Sequence, residues 1–325
     1  LLAGQRIPAE HRTHADRMVT HPMPAHDTSA TPPGALRTWL LATRPKTLAA
    51  AAVPVLLGCA LACAADAFRP GAALLCFAFA FLMQIDANLI NDLGDYLKGA
   101  DRADRIGPER ACARGWITPR AMRRGIALTT LAAAACGCGL LRYGGAELLA
   151  VGVACLLFAF LYTAGPCPLA YRGWGDALVL VFFGFIPVGA TCYVQTGTVP
   201  PAVAPTALAA GLVIDTLLLL NNYRDREQDA LSGKRTLVVR LGARAGERLY
   251  LAAGCGAAAL CLTLWPLAPA AALLPLAYVP LHVAAWRRMV RIGRGRELNR
   301  LLGTTSRNIL LFGLLLALGI ALARC

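Results

Sequence analysis

Two short runs of amides and acids carry the chemistry of this chain: Asn88, Asn91, Asp92 and Asp95, then Asn221, Asn222, Asp225 and Asp229. Each run closes a long apolar segment. Cations follow at once, Lys98, Arg102 and Arg105 after the first and Lys234 and Arg235 after the second. Carboxylates beside cations at a membrane surface suit Mg²⁺ and a phosphorylated substrate. Mg²⁺ takes oxygen ligands in octahedral array and is usually held by one or two carboxylates plus substrate phosphates. Lys and Arg neutralise the remaining phosphate charge. Asp92 with Asp95, and Asp225 with Asp229, lie on adjacent turns of a helix, so each pair can share an ion without backbone distortion. The Asn side chains add neutral oxygens or hold the carboxylates in place. An ion bound there is a Lewis acid on a leaving diphosphate.

A single Asp near a helix end can equally pair with loop arginines at a solvated membrane edge. Two matched clusters on equivalent helices weigh against that reading. Asp215, one helical turn before Leu218 on the same helix, is open between a buried hydrogen-bond partner and a direct role.

The elements that must position these groups are membrane helices. Of the 325 residues, 57% are hydrophobic and 15% charged, against about a quarter charged in a soluble domain. A helix needs about 20 apolar residues to cross a bilayer. The pattern predicts an all-α, polytopic bundle with spans at 47–66, 71–96, 122–141, 145–163, 175–195, 203–223, 247–265, 268–286 and 304–323. An eight-span alternative merges or drops a weak Ala-rich span near 122–141. The two acidic clusters end the second and sixth spans, and both contain Asn-x-x-x-Asp, at 91/95 and 221/225. The chain thus divides into two rhyming halves, and repeat interfaces are where such proteins place their sites. Helical spacing puts Gln84, Asn88, Asn91, Asp92 and Asp95 on one face, and Leu218, Asn222, Asp225 and Asp229 on another. Asp86 is off the first face. Gly184 and Pro187 predict a kink in the fifth helix.

With nine spans, all Lys and Arg except Arg69, Arg142 and Arg324 fall on one side. The positive-inside rule makes that side cytoplasmic, together with the N-terminus and both acidic clusters. Residues 1–36, polar and Pro-rich with four of the five His, read as a disordered cytoplasmic tail, and 37–325 as the transmembrane domain. The net charge of +14 is juxtamembrane and fits topology, anionic lipid or diphosphate rather than nucleic acid. The 12 Cys include no CxxC, and Cys59, Cys63, Cys76, Cys155, Cys192, Cys255 and Cys261 lie inside apolar spans. They read as small apolar residues, not a redox or metal framework.

At its acidic clusters the chain resembles the UbiA superfamily of intramembrane aromatic prenyltransferases. Asn91-x3-Asp95 and Asn221-x3-Asp225-x3-Asp229 match that superfamily's two aspartate-rich motifs. Trp39–Leu48, Asn88–Asp101, Asp104–Pro108, Tyr162–Pro166 and Lys234–Gly242 look like its menaquinone-pathway branch, the 1,4-dihydroxy-2-naphthoate polyprenyltransferases. In the wider superfamily a third acid tends to follow at the position of Gly99; here Asp101 stands two residues later, as that branch prefers. The resemblance implies a nine-helix bundle with a lateral opening to lipid, in the bacterial inner membrane. It implies Mg²⁺-dependent transfer of a polyprenyl group from its diphosphate to 1,4-dihydroxy-2-naphthoate, with decarboxylation.

On that basis Asn91, Asp92, Asp95, Asp101, Asn221, Asp225 and Asp229 are expected around the metal. Asn88, Asn222, Lys98, Arg102, Arg105, Lys234 and Arg235 are expected at the diphosphate. Arg44, Lys46 and Arg172 are by loop placement the nearest cations for the acceptor carboxylate, with Arg44 and Lys46 equally open to a reading as topology anchors. Tyr162, Trp174, Phe182, Phe183, Tyr193 and Tyr223 are candidates to shield an allylic cation, or are plain packing and interfacial residues. Other acceptors, such as 4-hydroxybenzoate, belong to the same superfamily. A cation-coupled secondary transporter is the reading from another class, but it would put acids near the bilayer midplane at broken helices. Here they sit at helix ends beside basic loops.

Overall fold

A computed structural model of the chain describes residues 34–99, 105–165 and 168–324, all helices and connecting turns. Arg102, Asp101 and the N-terminal tail lie outside these residues. The helices are α1 (Ala35–Thr43), α2 (Leu48–Ala64), α3 (Pro70–Leu97), α4 (Pro119–Gly144), α5 (Glu147–Thr163), α6 (Gly175–Thr196), α7 (Val203–Leu231), the short α8 (Leu237–Leu241), α9 (Ala243–Leu264), α10 (Pro269–Ile292) and α11 (Leu298–Ala321). Among the described residues eight are long and apolar enough to cross a membrane, α1 and α2 counting as one, and α5 adds a ninth apolar helix of 17 residues. The nine spans read from the sequence fall on these helices. The segment near 122–141 is a full helix of 26 residues, so no span is merged or lost there; among the described residues the apolar helix short of crossing length is α5. The protein is a multi-pass helical membrane protein.

The core lies between α2, α6, α7, α9, α10 and α11, where Val53, Leu57, Val188, Ala210, Val213, Ala257, Phe312 and Leu316 are buried together. On α4 and α5, by contrast, Leu128, Leu131, Leu149, Val153 and Leu157 are exposed, a surface that suits lipid. Asp86 is fully buried on α3, and its carboxylate accepts hydrogen bonds from Thr129 (2.6 Å) and Thr130 (2.8 Å) of α4. It fastens two helices together and stands apart from the clusters' chemistry.

Three local features prepare the site. Between α1 and α2 the chain turns at Arg44, in a left-handed conformation (φ 53°). Such a backbone is uncommon outside glycine and costs energy. The turn runs on through Pro45–Thr47 into α2. In α6 the backbone widens into a π turn over Leu180–Phe185, just before Pro187. Proline lacks the N–H that the helix ladder needs, and π turns are a recognised cause of helix bends; this is where the sequence predicts the kink. Finally, α3 and α7 both end in left-handed glycines, Gly99 (φ 65°) and Gly233 (φ 77°). The Gly233 cap folds Lys234 back over the last turn of α7, its backbone N–H donating to the Asp229 carbonyl, while Lys98, just before Gly99, still makes the last helical bond of α3, to Gly94.

Candidate active site

α3 presents Gln84, Asn88, Asn91 and Asp95 to a cavity of about 760 Å³, and α7 presents Asn221, Asn222, Asp225 and Asp229 to the same space. Lys46, Arg44, Arg105, Arg110, Tyr162 and Lys234 also line it. The two aspartate motifs therefore meet, as the repeat suggested, and Lys234 lies between them. Its ammonium is 3.7 Å from the Asp95 carboxylate and 3.8 Å from that of Asp229.

Asp95 is the most heavily partnered acid. Besides Lys234, it takes a 3.0 Å ion pair from Arg110 and a 3.2 Å hydrogen bond from the Tyr171 hydroxyl. Asp95 and Arg110 are both buried. The ammonium groups of Lys98 and Lys234 both approach the Tyr171 ring, at 4.8 and 4.9 Å from its centre. The Tyr171 carbonyl in turn accepts the Arg235 backbone N–H, which holds the Lys234 strand beside the 169–172 turn. Lys98 does not line the cavity. It donates to the Thr163 carbonyl, while the Thr163 hydroxyl accepts from Asn91 at 3.0 Å. Burial holds the Lys98 ammonium below the ordinary lysine range, against the pull of Asp95.

On α7, Asp225 is gripped by the guanidinium of Arg224, at 2.7 and 2.5 Å. Arg224 also donates to Asn299 of α11, and Asn299 to the Ile106 carbonyl. The Asn221 amide donates back to Leu217 in its own helix at 3.0 Å, leaving its oxygen for the cavity.

Other expected residues are placed differently. Asp92 does not face the cavity: its two carboxylate oxygens accept the backbone N–H groups of Ala111 and Cys112, at 2.9 and 3.0 Å, and it is buried there. It anchors the turn that delivers Arg110 to Asp95, so it is committed to structure. Arg235 is exposed and does not line the cavity. Asn88 lines it, but its amide is spent on the Thr43 carbonyl and the Thr47 hydroxyl. With Gln84, which also donates to Thr47, it clips the Arg44–Lys46 link onto α3.

Of the proposed aromatic shield, Tyr162, Phe182 and Phe183 line the cavity, joined by Phe79 and Phe158. Phe158 and Phe182 have ring centres 5.0 Å apart. Trp174 is exposed, Tyr193 donates to Glu147, and Tyr223 is buried against Glu247; none of the three lines the cavity. Arg172 does not line it either. Arg110, Tyr171 and Asp176 are site residues that pattern reading missed.

Beyond its acidic end the cavity becomes apolar. It follows α3 from Asp95 back to Cys76 and reaches Leu140, Leu148 and Val194, a length of about 28 Å at the rise of an α-helix. Among the described residues no three His, Cys, Asp or Glu groups form a metal site by themselves. The donor set still fits Mg²⁺, which keeps few protein ligands and takes the rest from phosphate and water. The Asn91 oxygen supports that fit: it is buried at the cavity wall without a hydrogen-bond partner.

A family model described as the UbiA prenyltransferase family matches residues 51–312. A 1,4-dihydroxy-2-naphthoate octaprenyltransferase of Escherichia coli (strain K12) is 38% identical, over 88% of this chain and 96% of its own. Its namesake in Mycobacterium tuberculosis is 37% identical, over 86% and 95%. Among solved structures, a UbiA homolog from Aeropyrum pernix K1 shares the fold with a TM-score of 0.62 at 17% identity, over 80% of this chain and 94% of that one. A UbiA homolog from Archaeoglobus fulgidus, bound to DMAPP and Mg²⁺, does so with a TM-score of 0.56 at 16% identity, over 86% and 99%. The chain belongs to the UbiA prenyltransferase family.

Proposed function

We propose that this protein transfers a polyprenyl group from polyprenyl diphosphate to 1,4-dihydroxy-2-naphthoate with loss of carbon dioxide, forming demethylmenaquinol in menaquinone biosynthesis. The observation that carries the reading is the cavity itself. One continuous space joins a doubly acidic, cation-lined end to a long apolar channel, the two chemistries of a prenyl diphosphate. The substrate named for the E. coli and M. tuberculosis relatives gives the acceptor. By the positive-inside rule the acidic end faces the cytoplasm of a bacterial inner membrane.

Asn91, Asn221, Asp95, Asp225 and Asp229 would hold Mg²⁺. When bound, it supplies Lewis-acid stabilisation of the departing diphosphate. Lys234, Arg105 and Arg110 offset the rest of the diphosphate charge, while Arg44 and Lys46 take the acceptor carboxylate. The prenyl chain lies along α3 in the apolar channel. As the allylic C–O bond breaks, the diphosphate leaves with the bonding pair. The faces of Tyr162, Phe158, Phe182 and Phe183 shelter the allylic cation and exclude water. The electron-rich ring forms the new C–C bond, and departing carbon dioxide leaves its bonding pair to restore aromaticity. No carboxylate has to act as a base at the ring carbon.

A membrane assay offering dihydroxynaphthoate, 4-hydroxybenzoate or homogentisate with one polyprenyl diphosphate tests this. Prenylation of dihydroxynaphthoate that EDTA abolishes and Mg²⁺ restores is expected. Exclusive use of 4-hydroxybenzoate would refute the acceptor.

A further inference from the structure

The walls of the cavity hold a polar feature that neither the diphosphate end nor the prenyl channel explains. Asp176 opens α6, is 8% exposed and lines the cavity, yet beyond its own backbone N–H its carboxylate oxygens have no hydrogen-bond partner. Asp215 of α7 lies behind it, 7% exposed, again with an unpartnered oxygen. The two acids are electrostatic neighbours, and the Tyr162 side chain stands within electrostatic reach of both, as it does of Asp95 and Asp229. The packing is tight: a Cβ on Gly175 would stand 3.4 Å from the Tyr162 hydroxyl and 3.3 Å from Leu218 of α7.

Buried carboxylate oxygens without donors are costly, and in native proteins such groups have partners. Inside a membrane an ionisable side chain that faces a cavity marks a ligand path. The missing partner must therefore bring donors. Diphosphate brings none and would be repelled. The nearby wall is apolar and aromatic, built from Val179, Leu178, Phe182 and Leu218, so the rest of the partner is flat and apolar.

We propose that Asp176 is the binding residue for the phenolic hydroxyls of the aromatic acceptor, with Asp215 and Tyr162 positioning it. The proposal rests on the acceptor reading above and adds which end of the acceptor goes where. The carboxylate points to Arg44 and Lys46, and a ring hydroxyl donates to Asp176. As the ring attacks, positive charge spreads to the hydroxyl-bearing carbons and the O–H becomes a stronger donor. The Asp176 hydrogen bond is then tighter in the transition state than in the ground state, which is the condition for raising kcat. The hydroxyl proton stays on its oxygen throughout.

The test has two parts. Asp176→Asn and Asp176→Leu are assayed for kcat and KM toward acceptor and donor separately. A loss of about 10- to 150-fold in kcat/KM for the acceptor is expected, the worth of one charge-assisted hydrogen bond, with donor KM within about twofold of wild type. In the second part the wild-type enzyme is challenged with 1,4-naphthalenediol and with its dimethyl ether as competitors of the acceptor. The diol should inhibit at lower concentration than the ether, and Asp176→Asn should erase the difference. Tyr162→Phe should weaken it. Equal inhibition by diol and ether in the wild type overturns the proposal even if no variant folds. A changed Mg²⁺ requirement or donor KM in Asp176→Asn overturns it too, by making Asp176 part of the diphosphate site. Wild-type enzyme that ignores dihydroxynaphthoate refutes the acceptor reading instead.

Discussion

Lys234 is the most informative residue to remove, because the structure gives it two opposed effects. It sits 3.7 Å from Asp95 and 3.8 Å from Asp229, with its side chain 18% exposed and theirs 1% and 11%. At an effective dielectric constant of about 20, each pair is worth about 4 to 5 kcal/mol of gross attraction. Desolvation of the three groups takes back a large part. In the free enzyme, Lys234 therefore occupies the field into which the proposed divalent cation would come. Lys234→Met leaves two carboxylates without that competitor, while Arg110 still neutralises Asp95. If only a third of one pair survives desolvation, the gain is about 1.4 kcal/mol, or tenfold in cation affinity. With the prenyl diphosphate present the sign reverses. The ammonium is then a donor to phosphate, and losing one charge-assisted hydrogen bond costs about 1.5 to 3 kcal/mol, roughly 10- to 150-fold in kcat/KM for the donor. Mn²⁺ binding to enzyme in nanodiscs, followed by electron paramagnetic resonance, reads the first effect, and donor kinetics read the second. Tighter Mn²⁺ with weaker turnover is expected, and Lys234→Arg should restore the kinetics in part. Mn²⁺ affinity that falls together with turnover would refute the reasoning, since Lys234 would then be building the metal site rather than competing for it.

The remaining expectations concern the same framework. Asp95→Ala and Asp225→Ala should abolish transfer while the protein still inserts and folds; full activity in either, measured as diphosphate release, removes that residue from the metal site. Asp92→Ala should instead lower thermal stability by about 1 to 3 kcal/mol, through two orphaned backbone amides, and should weaken activity only as far as Arg110 moves. A loss of Mn²⁺ binding without a loss of stability would contradict this. Lys98 gives a pH signature: burial lowers its folded-state affinity for a proton, so between that lowered value and the unfolded 10.5 the unfolded chain holds more protons and stability rises with pH. The detergent-solubilised melting point should show that alkaline rise in the wild type and lose it in Lys98→Met. Gly184→Ala would put a Cβ 2.6 Å from the Ala207 carbonyl, forcing α6 from α7 at a cost of about 1 to 3 kcal/mol, visible as a lower melting point.

How far the sequence could be read depends on whether a feature is local. The spans were legible because each is a long apolar run. The meeting of the two aspartate motifs followed from their repeat. Asp92 shows where local pattern ends. At about 100° per residue, Gln84, Asn88, Asn91 and Asp95 cluster within about 60° of one another around α3, whereas Asp92 points about 70° from their mean. It sits at the edge of the cavity-facing stripe, and helical phase alone leaves its side undecided. The decision comes from the turn at Ala111 and Cys112, whose amides take both of its oxygens. Arg110 was invisible for the same reason, being one arginine among many in a basic loop until that turn brings it to Asp95. Asp176 is the extreme case. In the sequence it is one acid in a Gly-Trp-Gly-Asp loop. Only the packing of α5, α6 and α7 shows that its oxygens are buried, unpartnered beyond their own backbone N–H and aimed at the space where an acceptor would lie. Helix periodicity thus locates the groups that hold charge, while the turns between helices decide which of them are free to use it.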